Sequence, residues 1–165
     1  ISLGLVGSEM CIRDRIKESL AFNDVSLIRS SSKIAKIKIE VNNKTRIEEF
    51  LGDGCLIATP AGSSAYNLSL RGPVIPVGAK VLALTPISPY RPRRWRGALL
   101  NNDAKITLYA IDSKLRPVRA EADFMQFENI DRLEIELEKK LFVNLLFDPG
   151  HDLEERIINE QFNNS

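Results

Sequence analysis

This chain has one histidine, His151, and two cysteines, Cys11 and Cys55, among 165 residues. Neither cysteine has a partner at metal-ligand spacing, so a His/Cys zinc site is excluded and a disulfide framework is not expected. An excess of one charge is also missing. Lys and Arg number 23 against 22 Asp and Glu, a formal net charge of +1, which gives no reason to expect a polyanion as the main partner. No apolar run approaches the roughly 20 residues that a membrane helix needs. The sequence has no P-loop, because Ser63 stands where the lysine after the final glycine would be, and no dinucleotide fingerprint of three spaced glycines. What remains is an ordinary globular composition, 44% hydrophobic and 27% charged, suited to a reducing cytoplasm.

The most informative stretch runs from Gly52 to Tyr66 (GDGCLIATPAGSSAY). Asp53-Gly54 is a turn signal, since glycine accepts positive φ without strain. Cys55 to Ala58 reads as a strand buried on both faces, ended by Thr59-Pro60 because the residue before proline is pushed towards extended geometry. Gly62-Ser63-Ser64 then offers a hydroxyl N-cap to a short helix beginning near Ala65. A strand delivering such a turn to a helix start gathers N–H groups and hydroxyls at one place, which suits a phosphate or ribose. Alone, the stretch fits a plain loop equally well.

Residues 1–15 (ISLGLVGSEMCIRDR) have no clean period and the wrong order of charge for a secretory signal. They resemble a translated adapter sequence, not native to the protein, whose own sequence opens near Ile16. Asn23-Asp24 precedes an apolar strand, a place where such side chains usually bond the backbone of a turn. Ile37, Ile39 and Val41 alternate with Lys36, Lys38 and Glu40, and Asn42-Asn43-Lys44 turns the chain into Thr45–Leu51, which predicts a β-hairpin. Gly72-Pro73 stops the short helix, residues 74–78 are irregular, and Lys80 to Thr85 is another apolar strand.

Arg91 to Gly97 (RPRRWRG) sets four arginines around the only tryptophan, Trp95. Prolines make it a loop; a solvated loop or a subunit contact anchored by Trp95 is favoured over base stacking. The remainder alternates with period two around Ile106–Ala110, Val118–Ala122 and Leu133–Leu137, and Leu141 to Phe147 is a more continuous apolar strand. Short strands at this spacing predict a mainly β fold, a two-layer antiparallel sandwich-like domain. Asp152 can cap a C-terminal helix whose apolar side is Leu153, Ile157 and Ile158, with Phe162 beyond and His151 in the connecting turn.

Taken together and in order, these motifs resemble the NAD kinases in their bacterial form. The residues that carry the likeness are Asp53-Gly54, Ala58 to Ser69 (ATPAGSSAYNLS), Asn23-Asp24, Leu84 to Ile87, Arg91 to Gly97 and Phe147 to His151. The last three look like alphaproteobacterial members. Ser64 replaces the family's usual threonine and keeps the hydroxyl; Asp24 is one methylene shorter than the usual glutamate. The resemblance covers the chain from about Ile16 onwards.

That resemblance implies transfer of the γ-phosphate of ATP (polyphosphate in some members) to the 2′-hydroxyl of the adenosine ribose of NAD, giving NADP. It implies an NAD site on Asn23, Asp24, Asp53, Ala61, Ser64, Ala65, Tyr66, Asn67, Leu68 and Ser69, with Asp53 at the nicotinamide end. Mg²⁺ would accompany ATP, and the protein would be a cytoplasmic homo-oligomer with no nucleic-acid or membrane partner. Asp123 stands where the family often has Asp-Gly, but Phe124 replaces the glycine and no role is carried over. The family's Gly-Gly-Asp-Gly motif, whose aspartate is the proposed base, is absent from these residues. No catalytic residue and no metal ligand is therefore assigned, and the chain is expected to be inactive alone. The implied organisation is an NAD-binding β domain over 16–147, belonging to an α/β plus β kinase, and a turn and helix over 148–165 that would pack on an N-terminal α/β domain. The alternatives are a lipid kinase of the diacylglycerol or sphingosine type, and a nucleic-acid-binding β module using Arg91–Arg96.

Overall fold

The computed structural model describes residues 2–12 and 15–144, with Ile158 and Phe162 in helical conformation. The described residues form twelve strands in two antiparallel sheets of six. In chain order they are β1 (Ser2–Ile12), β2 (Arg15–Ala21), β3 (Asp24–Arg29), β4 (Ala35–Val41), β5 (Lys44–Gly52), β6 (Gly54–Ala58), β7 (Val81–Ile87), β8 (Ala98–Asn101), β9 (Ile106–Ala110), β10 (Val118–Ala122), β11 (Met125–Glu128) and β12 (Arg132–Asn144). One sheet runs β2-β1-β12-β9-β4-β5 and the other β11-β10-β3-β6-β7-β8. Two short helical turns, Ala61–Ser64 (3₁₀) and α1 (Tyr66–Ser69), follow β6.

The alternation read from the sequence decides which face goes inward. Ile37 and Ile39 of β4, Ile106 and Leu108 of β9, and Leu133 and Ile135 of β12 meet Val25 and Leu27 of β3, Cys55 and Ile57 of β6, and Val118 and Ala120 of β10 in one buried cluster. Period-two strands with one dry face can stack only in this way, sheet on sheet. The mainly β, two-layer expectation holds. β6 is buried at every residue because its other face, Leu56 and Ala58, packs with Ile75 and with Ala83 of the adjacent β7 in a second cluster. The hairpin between β4 and β5 turns at Asn42 and Asn43, with φ of 53° and 58°, the left-handed pair that asparagine tolerates.

Several expectations differ from the fold. Residues 2–12, which resemble an adapter sequence, form β1 and pair with β2 on one side and β12 on the other. A ladder is made by backbone groups, so pattern-poor sequence can join it. The resemblance to an adapter bears on origin, not on placement. β7 continues two residues past the predicted end at Thr85, through Pro86. Proline is tolerated there because β8 reaches only to Leu84 on that side, while the β6 side carries on with Asp53 N–H donating to Ile87 O. The apolar run from Leu141 is not separate but the end of β12, which is continuous from Arg132 to Asn144. The predicted C-terminal helix and the 148–151 turn lie outside the described residues apart from Ile158 and Phe162, both helical and exposed.

Candidate functional site

Three chain segments meet at one end of the second sheet: the bend between β2 and β3, the turn after β6, and the turn between β10 and β11. β3 is antiparallel to β6 with Asp24 opposite Ala58, so the Asn23-Asp24 bend and the Thr59–Ser69 turn emerge side by side. Thr59 joins them. Its Oγ1 donates to Phe22 O at 2.8 Å and accepts Gly62 N–H at 3.0 Å, while its own N–H donates to Asn23 O at 2.9 Å. Gly62 packs on the Asn23 backbone so closely that a Cβ would lie 2.1 Å from Asn23 O. A side chain cannot occupy that space.

The hydroxyl and amide residues of the turn divide into two groups. Ser63 is fully buried: its Oγ donates to Pro60 O at 2.7 Å and accepts Ile75 N–H at 2.9 Å. Asn67 is also 0% exposed, donating from Nδ2 to Ser63 O and Pro73 O and accepting from Thr85 Oγ1 at 2.6 Å. These side chains hold the turn and are spent inside it. The expected hydroxyl N-cap is not made: the helical turns have no side-chain cap, and Ser63 serves the 75 loop instead. The second group faces outward. Ser64 is half-buried, Ala65, Leu68 and Ser69 are exposed, and Tyr66 is 43% exposed. No intramolecular hydrogen bond engages the side chains of Asn23, Ser64, Tyr66 or Ser69 among the described residues.

Asp24 is half-buried, and its carboxyl is pushed up to about 6, chiefly by burial and then by the charges of Asp123 and Glu121. At neutral pH it is a carboxylate able to accept ribose hydroxyls; below about 6 it becomes a donor. Asp123, given no role on sequence grounds, accepts the N–H groups of Phe22, Asn23 and Asp24 at 2.7, 2.9 and 3.3 Å. The local sequence signal is only an aspartate directly after an alternating strand, a residue type that tolerates the left-handed conformation found here, φ 50°.

Of the ten residues expected to bind NAD, the structure brings nine together: Asn23, Asp24, Ala61, Ser64, Ala65, Tyr66, Leu68 and Ser69 on the open side, and Asn67 beneath them. Asp53 stands apart. It lies at the far end of β6, six residues before Thr59 and therefore about 20 Å away along the strand. There its Oδ1 pairs with Arg29 Nε at 2.6 Å. Among the described residues no cluster of three or more His, Cys, Asp or Glu is arranged to hold a metal ion.

The arginine loop is not a stacking platform. Trp95 packs edge-on against Phe50, centroids 5.7 Å apart and planes at 73°, and Arg93 lies over Tyr90. Beside Trp95 an apolar cavity of about 520 Å³ is lined by Ile39, Val41, Leu84 and Leu100, sharing no residue with the site above.

The two-layer β domain, with a helical turn leaving a central strand beside an Asn-Asp bend, has counterparts among solved structures. It superposes on the yeast NADH kinase solved with NADH at a TM-score of 0.84, covering 100% of this chain and 49% of that one at 23% identity. An NAD kinase from Archaeoglobus fulgidus, solved with ATP, matches at 0.71 over 84% of this chain and 52% of that one, at 22% identity. These likenesses show the fold. Residues 22–123 match the ATP-NAD kinase C-terminal domain, and the chain belongs to that family. The NAD kinase of Xylella fastidiosa (strain Temecula1) is 52% identical over 145 residues, 88% of this chain and 56% of the relative. That of Hyphomonas neptunium is 48% identical over 147 residues, 89% and 58%. The chain thus spans a little over half the length of these relatives.

Proposed function

We propose that this chain is the NAD-binding portion of an NAD kinase, which transfers the γ-phosphate of ATP to the 2′-hydroxyl of the adenosine ribose of NAD. The observation that carries the proposal is the division of polar groups at the 59–69 turn. Thr59, Ser63 and Asn67 are consumed in holding it, while Asn23, Asp24, Ser64, Tyr66 and Ser69 stand around it with their side chains open. Asn23 can donate to and accept from a nucleotide, the Asp24 carboxylate can take ribose hydroxyls, and the Tyr66 ring offers a face to adenine. Ala61, Ala65 and Leu68 supply small and apolar surface between them. Asn67 acts from beneath, and Asp53, paired with Arg29 at the far end of β6, is not among the contacts proposed.

Phosphoryl transfer depends on in-line placement and on neutralising charge, supplied by Mg²⁺ travelling with the nucleotide phosphates. No residue of this chain is assigned to the metal, and no base for the 2′-hydroxyl is assigned within it. The chain is therefore expected to bind NAD and to make no NADP alone. Cytoplasmic residence agrees with the buried, free Cys55 thiol, which burial pushes up out of its reactive range. Homo-oligomerisation is supported by β8, an outer strand with no further neighbour among the described residues, which carries exposed Leu99.

Calorimetric titration with NAD tests the reading, run beside labelled single-stranded DNA at two salt concentrations. Saturable NAD binding is expected, with no DNA binding that weakens steeply with salt. Failure to bind NAD, or NADP production at an intact enzyme's rate, would sink the respective claims.

A further inference from the structure

The bend at Phe22-Asn23-Asp24 sits where β2 hands over to β3, and three consecutive N–H groups there turn to a side chain among the described residues. All three point at one carboxylate. Asp123 Oδ2 takes Phe22 N–H, and Oδ1 takes Asn23 and Asp24 N–H. The contact is reciprocal, since Asp123 N–H donates to Asp24 O at 3.1 Å. Thr59 meanwhile occupies the carbonyls of Phe22 and Asn23. The backbone polar groups of the bend are thus used up by two residues far away in sequence, leaving the Asn23 and Asp24 side chains as its open groups.

We propose that Asp123 is a positioning residue for nucleotide binding, fixing the bend that presents Asn23 and Asp24. The inference rests on the NAD reading above for what the bend presents, and on geometry alone for how it is held. A charged acceptor of several N–H groups is worth more than neutral bonds in the same place. Its exposed neighbour Phe124 contributes nothing to the holding. Asp123 also acts on Asp24 through space: the charged groups that face Asp24 are Asp123 and Glu121, the latter already paired to Arg119 Nε at 2.7 Å. Removing the Asp123 charge frees Asp24 to ionise at lower pH.

The test uses this chain with Asp123→Ala and Asp123→Asn. Asparagine tolerates the left-handed φ and keeps one acceptor oxygen, so the fold has a second chance to survive. In Asp123→Ala, the amides of residues 22–24 are expected to exchange with solvent at least about tenfold faster than in the wild type, while β6 amides are unchanged. In Asp123→Asn, the Asp24 carboxyl is expected to titrate below its wild-type midpoint, a shift that a merely structural residue would not cause. The Kd for NAD rises about tenfold in the alanine variant and less in the asparagine variant. Unchanged exchange at 22–24, or an unmoved Asp24 midpoint, overturns the proposal. A wild-type chain that does not bind NAD overturns the ligand reading, and the exchange and titration results still decide whether Asp123 holds the bend.

Discussion

A close backbone-to-backbone joint in the site is Gly62 against Asn23, and Gly62→Ala measures what it does. A Cβ at residue 62 would stand 2.1 Å from Asn23 O, 2.4 Å from its carbonyl carbon and 2.5 Å from its Cα. Backbone cannot swing away as a side-chain tip can, so the two segments must part by about an ångström. Overpacking of this kind costs about 1–3 kcal/mol. Parting also strains the bonds that cross the joint, Thr59 N–H to Asn23 O and Gly62 N–H to Thr59 Oγ1, each worth a net ~1 kcal/mol. The lower entropy of an unfolded alanine chain returns about 0.5 kcal/mol. A net loss of about 2–3 kcal/mol follows, which moves a urea midpoint down by roughly 1 M. Gly78→Ala is the matched control, because a Cβ there meets nothing within 4 Å, and it is expected to be neutral or slightly stabilising. Urea unfolding and NAD titration of both variants give the answer. A Gly62→Ala protein with the midpoint and NAD affinity of Gly78→Ala would refute the view that the two segments are wedged together.

The buried network gives a second prediction: Asn67→Ala strands Ser63 O, Pro73 O and the Thr85 hydroxyl, and is expected to lower stability by about 3–5 kcal/mol in thermal or urea unfolding. Thr85→Val, which removes one of those bonds at nearly constant shape, is expected to cost only about 1–3 kcal/mol. Asp24 gives a third. Its folded carboxyl titrates above its ordinary value of 3.8, so the protonated form is favoured by folding, and this contribution is present below 3.8 and lost as pH rises through about 6. Asp24→Asn should flatten the stability profile between those two values and raise stability at pH 7 to 8, while weakening NAD binding. Equal unfolding midpoints for the variant and wild type at pH 5 and pH 8 would count against it. For the outlying pair, Asp53→Asn is expected to change stability by less than about 1 kcal/mol, since its partner Arg29 is half-exposed.

The strands that were legible are those with one wet and one dry face. β4, β10 and β12 alternate because charged and apolar residues take opposite sides of a sheet lying on another sheet, and the pattern survives without any knowledge of the partner. β8 and β11 were illegible for the converse reason. Leu99 and Met125 are exposed, so apolar residues there do not mark an inner face. β1 is a ladder partner whose place is decided by β2 and β12, and a strand held by neighbours' backbone need not announce itself. β7 hid its end behind Pro86, a strand breaker everywhere except beside a missing neighbour.

The site was legible as an inventory and illegible as an arrangement. Gly62, Ser63, Ser64 and Asn67 look alike in sequence, small or polar residues in a turn, yet burial sorts them into a wedge, two internal ties and an open hydroxyl. That sorting depends on Ile75, Pro73 and Thr85, which arrive from later in the chain. Asp123 is the clearest instance: its bonds span about a hundred residues, and only the antiparallel pairing of β10 with β3 brings it to the bend. Local propensity cannot register a partner that distant, so Asn23-Asp24 reads locally as a self-satisfied turn. The structure shows the opposite arrangement. The bend does not cap itself with its own side chains, because Asp123 and Thr59 satisfy its backbone from outside, and that is the physical condition for the Asn23 amide and the Asp24 carboxylate to be available to anything else.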